Sequence, residues 1–283
     1  MPFQYTLAEP LLQVKNVHLQ LGGKQILAGV NAEVRNITRP GLTQGQVVGF
    51  LGPSGVGKTQ LFNLMAGLDP AARDAKVTGE ILVAVSGSDK LVPVRRGLAG
   101  VVAQDYRLFE HRTVLSNLIV AARKGDYEPK ERKAEAVALL ERFNLAEHAG
   151  KYPAQLSGGQ RQRVAIAQQL LCSTTVLLMD EPFSGLDPVM IDQVAKLINE
   201  VAALDEHMTI VVVTHDVSAA ISVSDTLWLM GRDRDAKGAI LPGAKIQTTY
   251  NLIDMDLAWH PDIQAMPAFH DLVREVKLRF RTL

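Results

Sequence analysis

A single cysteine, Cys172, among 283 residues excludes an internal disulfide and fits a reducing compartment. It follows Leu170-Leu171, where a small core residue is the expected role. Net charge is missing too. Thirty Asp and Glu balance thirty Lys and Arg, so no global field draws nucleic acid or an acidic membrane. No apolar run approaches the roughly 18–20 residues that cross a bilayer. Met1-Pro2-Phe3-Gln4-Tyr5 lacks the basic-then-apolar order of a secretory leader. The chain is therefore expected to be soluble by itself, with any membrane work done through a partner. Internal repeats, low-complexity tracts and heptad runs are absent as well. With 47% apolar residues, disorder is not expected, and the length allows one large or two modest domains.

What is present is a set of short Val/Ile/Leu runs of the kind buried on both faces of a sheet: Val47–Leu51, Gly100–Ala103, Val176–Met179, Thr209–Thr214 and Leu227–Met230. Helical stretches between them predict a mainly parallel sheet wound with helices. Residues 11–34 and 77–95 alternate more and carry Gly22-Gly23 and Gly87, which predicts antiparallel strands and turns. Residues 105–165 read as an inserted helical block, with a helix over Pro129–Asn144. From about Gly238 a C-terminal extension is expected, ending in a helix over Phe269–Phe280.

Two stretches suit phosphate. Gly52-Pro53-Ser54-Gly55-Val56-Gly57-Lys58-Thr59 matches G-x-x-x-x-G-K-[ST], between an expected strand and the helix Gln60–Gly67. Its glycines let backbone N–H groups face phosphate, Lys58 neutralises β/γ oxygens, and the Thr59 hydroxyl suits Mg²⁺. A chance glycine-rich turn is the alternative. Leu156-Ser157-Gly158-Gly159-Gln160 reads as a second anion nest at a helix start, or as loop punctuation with a serine cap. Val176–Met179 runs into Asp180 and Glu181; Asp180 suits the metal and Glu181 the polarising of water, unless they are solvated loop carboxylates. His215, at another strand tip, can donate to a γ-phosphate, and Gln104 can meet the Mg²⁺ shell or the lytic water. Each has a structural alternative when taken alone.

In order, the P-loop, Gln104, Leu156–Gln160, Asp180-Glu181, Ser184-Gly185-Leu186-Asp187 and His215 resemble the nucleotide-binding subunit of ATP-binding-cassette (ABC) transporters. The resemblance spans roughly residues 11 to 232, and Leu156–Ala165 is highly specific for it. It implies a P-loop NTPase fold: a RecA-like core with a mainly parallel sheet, an antiparallel β subdomain and an inserted helical subdomain. An ATPase domain over 11–235, with the helical insert at about 105–165, and an extension over 236–283 follow. It further implies ATP and Mg²⁺ held by Gly52–Thr59 and Gln60, with Thr59, Gln104 and Asp180 toward the metal. Glu181, His215 and Gln104 would serve hydrolysis. Ser157, Gly158, Gly159 and Gln160 would meet the ATP of a second subunit paired head to tail, with Ser184–Asp187 along the seam.

The implied partners are integral membrane permease subunits and a solute-binding protein, at the cytoplasmic face of the inner membrane, with no nucleic acid. Leu108, Phe109 and Val114 are offered as a groove for the permease, or as helical-domain core. Asp180–Pro188 looks like importers, and the tail is loosely similar to the nitrate/sulfonate/taurine import group. An exporter or lipid-moving complex, a soluble non-transport ABC ATPase, and a regulator with a dead cassette are the competing readings; intact Lys58, Asp180, Glu181 and His215 speak against the last. Some positions depart from the family pattern. Leu21 stands where an aromatic usually stacks on adenine, with Tyr5 as a possible substitute. Gln60 replaces a Ser/Thr, Gln168 an arginine and Glu110 a proline, and the link Arg35–Thr43 is long.

Overall fold

In the computed structural model, which describes residues 4–38, 44–85, 88–125, 127–172, 175–260 and 262–283, Gly22 and Gly23 both take positive φ, 56° and 74°. A two-residue hairpin turn demands that conformation and glycine supplies it without steric cost. The turn joins β1 (Thr6–Leu21) to β2 (Lys24–Thr38), antiparallel from Leu21↔Lys24 outward. The chain next forms β3 (Gln46–Leu51) and α1 (Lys58–Met65). It then returns to the antiparallel side as β4 (Lys76–Val85), which pairs with β1, and β5 (Ser88–Pro93), which pairs with β4. Pro40-Gly41 of the long link, Gly87 and Pro261 lie outside the described residues.

The remaining strands are β6 (Ala99–Val102), β7 (Val176–Asp180), β8 (Thr209–Val213), β9 (Thr226–Arg234) and β10 (Ile240–Asn251). One ten-stranded sheet results, in the order β5-β4-β1-β2-β10-β9-β3-β8-β7-β6. β6, β7, β8, β3 and β9 are joined by parallel ladders. Their apolar side chains divide between the two faces of the sheet because successive side chains point to opposite sides. Val47, Leu177, Met179, Ile210 and Val212 enter the core beneath the helices. Val48, Phe50, Leu178, Val211 and Val213 enter the core shared with α1 and the antiparallel strands. Both faces are covered, so neither can be polar.

Between β6 and β7 lie α2 (Val114–Ala122), α3 (Arg132–Arg142) and α4 (Gly158–Leu170), with 3-10 turns at Ala146–His148 and Pro153–Gln155. The helix expected from Pro129 begins at Arg132; Pro129 stands in the turn before it, where Glu131 N–H donates to the Glu128 carbonyl at 2.9 Å. Cys172 packs, half-buried, against this block, and burial pushes its thiol up. α5 (Pro188–Ala202), α6 (Val217–Val223) and α7 (Pro267–Arg279) complete the chain. The boundary expected at 235/236 falls in the turn between β9 and β10. β10 pairs antiparallel with β9 and touches β2 at Ala244↔Leu27.

Candidate nucleotide site

β3 is buried along all six residues and delivers the chain to Gly52, where a Cβ would stand 2.7 Å from the Met230 carbonyl oxygen. Only glycine passes there. Gly57, with φ 120°, starts α1 and brings no side-chain cap. The first N–H groups of α1 therefore depend on the loop or on a ligand. Val56 is buried and anchors the loop, while Ser54, Gly55 and Thr59 are exposed, and nothing lies within 4 Å of a Cβ built on Gly55. Lys58 Nζ curls back to donate to the carbonyls of Gly52 (2.6 Å) and Pro53 (3.1 Å). Burial pushes its ammonium below the usual value, against the pull of Glu181 and Asp180.

Those carboxylates arrive because β7 lies two strands from β3, with β8 between them. Asp180 ends β7, and burial and the neighbouring Glu181 push its carboxyl up while Lys58 opposes them. Glu181 takes φ 49°, a left-handed conformation that costs a non-glycine residue on the order of 1–3 kcal/mol and clusters at functional sites. Its backbone N–H donates to Val213 O at 2.8 Å. Its Oε2 accepts from the Thr214 hydroxyl (3.1 Å) and lies 2.9 Å from His215 Nδ1. Gln104 Nε2 donates to Ser184 Oγ at 3.3 Å, which ties the end of β6 to the segment before α5. Lys58, Asp180, Glu181 and His215 thus converge. Hydroxyl, carboxylate and amide oxygens of Thr59, Asp180 and Gln104 are the hard donors that Mg²⁺ prefers, and it ordinarily keeps water and phosphate oxygens for the rest.

The Ser-Gly-Gly stretch lies elsewhere. Ser157 caps α4 with a full capping box: Gln160 N–H donates to Ser157 Oγ (3.3 Å) and Ser157 N–H to Gln160 Oε1 (2.9 Å). Nothing stands within 4 Å of a Cβ on Gly158. Residues 157–160 line a cavity of about 510 Å³ together with Tyr106, His148, Leu186 and Met190, and no residue of Gly52–Thr59 contributes to it. Asp187 caps α5 through Met190 N–H at 3.0 Å, and next to it Val189 is 66% exposed. Of the groove residues, Val114 is core, Leu108 packs against that core, and Phe109 is exposed beneath the Arg112 guanidinium.

Three neighbours were not evident from sequence. Thr214 reads as the end of a strand, yet its buried hydroxyl serves Glu181. Arg232 of β9 reaches the Gly55 carbonyl at 3.2 Å. His148 meets Gln160. No spacing rule signals any of them, because each partner is distant in the chain. Tyr5 is committed elsewhere: its hydroxyl donates to Asp254 (2.7 Å), accepts from Asn251 (2.8 Å), and its ring joins the C-terminal core. That placement removes it as the substitute for an aromatic at Leu21.

A glycine loop between a buried strand and a helix, faced by a carboxylate pair on a neighbouring strand tip, is the site of a P-loop NTPase. Residues 38–184 match the family described as ABC transporter, and 149–222 also match one described as AAA domain, putative AbiEii toxin, Type IV TA system. The chain is 38% identical over 223 residues to the glutamate/aspartate import ATP-binding protein GltL of Escherichia coli (strain K12), covering 78% of this chain and 87% of that one. It is 37% identical over 228 residues to the L-cystine transport system ATP-binding protein TcyN of the same organism, covering 79% and 87%. The solved structure of cbiO1 from Clostridium perfringens, part of the ABC transporter complex cbiONQ, aligns over 97% of each chain with a TM-score of 0.68 and 25% identity. The chain belongs to the ABC transporter family, as an importer-type ATP-binding subunit whose ATPase activity powers solute transport. Among the described residues no helix is long and apolar enough to cross a membrane.

Proposed function

We propose that two copies, or this chain and a close homologue, pair head to tail with ATP between them. The P-loop of one would face Ser157, Gly158 and Gly159 of the other. The observation that carries this reading is that one chain holds two phosphate-ready helix starts, and that the cavity lined by residues 157–160 takes in no residue of Gly52–Thr59. A triphosphate joining them must come from pairing, and exposed Val189 beside Ser184–Asp187 suits the seam. Within a site, Gly52–Gln60 would cradle the phosphates and Lys58 would exchange the Gly52 and Pro53 carbonyls for phosphate oxygens. Mg²⁺, when bound, neutralises charge on the phosphates, held by Thr59 and Asp180 with Gln104 toward its water. Glu181, fixed by Thr214 and His215, would take a proton from the attacking water, and His215 would donate toward the γ-phosphate.

The pair would dock on permease subunits at the cytoplasmic face of the inner membrane through the surface around Phe109, and a solute-binding protein would deliver a small solute or ion. GltL is named for glutamate/aspartate import and TcyN for L-cystine transport, which supports a small polar solute. The weaker likeness of the tail to nitrate/sulfonate/taurine importers stays a narrower option within that class. Glu181→Gln is the test. It should keep ATP binding, dimerise with ATP in size-exclusion chromatography, and lose turnover by about 10²–10⁴. Wild-type turnover would remove Glu181 as the base. An ATP-loaded variant that stays monomeric would remove the pairing.

A further inference from the structure

The start of α4 is held by a residue outside it. Ser157 N–H can only donate, so the Gln160 amide must present its oxygen to it, as observed at 2.9 Å. The amide nitrogen of Gln160 is thereby aimed the other way, 2.8 Å from Nε2 of His148. An amide nitrogen only donates, so His148 Nε2 is the acceptor and carries no proton. In this geometry the ring hydrogen sits on Nδ1, and Glu147 Oε1 lies farther from the same Nε2, at 3.5 Å. Nδ1 is buried without a hydrogen-bond partner, and the residue is only 7% exposed. A buried donor left unpaired is destabilising, a cost that a merely space-filling residue would not carry.

The ring is also fixed from behind. His148 closes the 3-10 turn Ala146–His148. The carbonyls of Ala149 and Lys151 just after it accept from Leu115 (3.0 Å) and Val114 (2.8 Å), the first residues of α2. The imidazole therefore moves only with the helical block.

We propose that His148 is a positioning residue for the loop that meets the partner's nucleotide. Its bare Nε2 selects the Gln160 rotamer that engages Ser157 N–H, and so leaves the Gly158 and Gly159 N–H groups set for the γ-phosphate across the seam. The proposal rests on the head-to-tail reading above. It also links the orientation of that loop to the same turn that braces α2, the helix beside exposed Phe109.

The test uses the full chain. His148→Leu and His148→Lys offer no acceptor and should lower kcat at saturating ATP about five- to tenfold, the loss of roughly one hydrogen bond. Binding of ATP by the separate subunit should stay within about twofold, because the P-loop is untouched. His148→Gln places an acceptor oxygen near the lost nitrogen and should restore turnover. Gln160→Leu should be slowed similarly, and adding His148→Leu to it should slow it no further. Independently of any variant, ¹⁵N spectra of wild-type His148 at mildly alkaline pH should show a protonated Nδ1 and a bare Nε2. A protonated Nε2, or additive losses in the double variant, overturns the proposal. Wild-type turnover in Gly159→Asp would instead overturn the pairing and with it the role of His148, while the hydrogen bond would still be decided by the nitrogen spectrum.

Discussion

Glycine stands at the start of both α1, as its cap Gly57, and α4, as Gly158 and Gly159, yet their N-termini are built in opposite ways. α1 begins at Gly57 with no side-chain cap, and its lysine, pressed below the usual ammonium value by burial, is satisfied only by carbonyls of its own loop. α4 begins at Ser157 with a reciprocal capping box and a further bond to His148. One end leaves its first N–H groups without a side-chain cap; the other has its cap already made. On the proposed reading, α1 supplies most of the affinity of a single subunit, whereas α4 supplies a rigid, neutral surface that matters only when two subunits meet.

The largest expected effects separate the two ends. Lys58→Ala should weaken ATP binding to the separate subunit about a hundredfold, through loss of charge-assisted phosphate bonds. Gly159→Asp should leave that affinity within about twofold but remove most turnover, since a carboxylate would face the partner's phosphate. Equal losses of affinity in calorimetry would break the contrast. Thr214→Val tests the carboxylate between the two ends: freed from its hydroxyl, Glu181 should turn over about tenfold more slowly at unchanged KM. Ser157→Ala removes the α4 cap and should cost about 1 kcal/mol in urea unfolding of the nucleotide-free protein. No comparable side-chain cap exists at α1 to remove.

The smallest effect is a pH slope. The folded state holds the Lys58 proton less tightly than the unfolded chain, whose value is near 10.5. In the alkaline window between the two values the unfolded state binds more protons, so stability should rise with pH there. Lys58→Met should lose that rise, whereas Gln160→Leu should keep it. Thermal melts at several alkaline pH values compare the three proteins.

The parallel strands were legible because β3, β7 and β8 are apolar on both faces, and the motifs because glycine and carboxylate spacing is dictated by phosphate and metal. β10 was not legible as a sheet strand. Its segment, Ile240-Leu241-Pro242-Gly243-Ala244 and onward, mixes polar residues with proline and glycine, and all of it but Gly243 and Ala244 is half-exposed or exposed. What makes it a strand is its two neighbours, not its own pattern. Thr214 and His148 were missed for a related reason. A hydroxyl at a strand end and a histidine in a short turn acquire meaning only from Glu181 and Gln160, 33 and 12 residues away.

β10 stands between β2 and β9, and this has a consequence for biogenesis. The hairpin made first, β1–β2, can join the strands around the P-loop through sheet bonds only after Ala244, which pairs with Leu27, has left the ribosome. Asp225 adds to the same closure: its side chain accepts from Val47 N–H at 2.6 Å, and its carbonyl accepts from Leu252 N–H at 2.9 Å. The part of the sheet beside the P-loop is thus the last to assemble during synthesis. A nascent chain released before that point would expose two unsatisfied edges, the kind of surface that chaperones and proteases act upon.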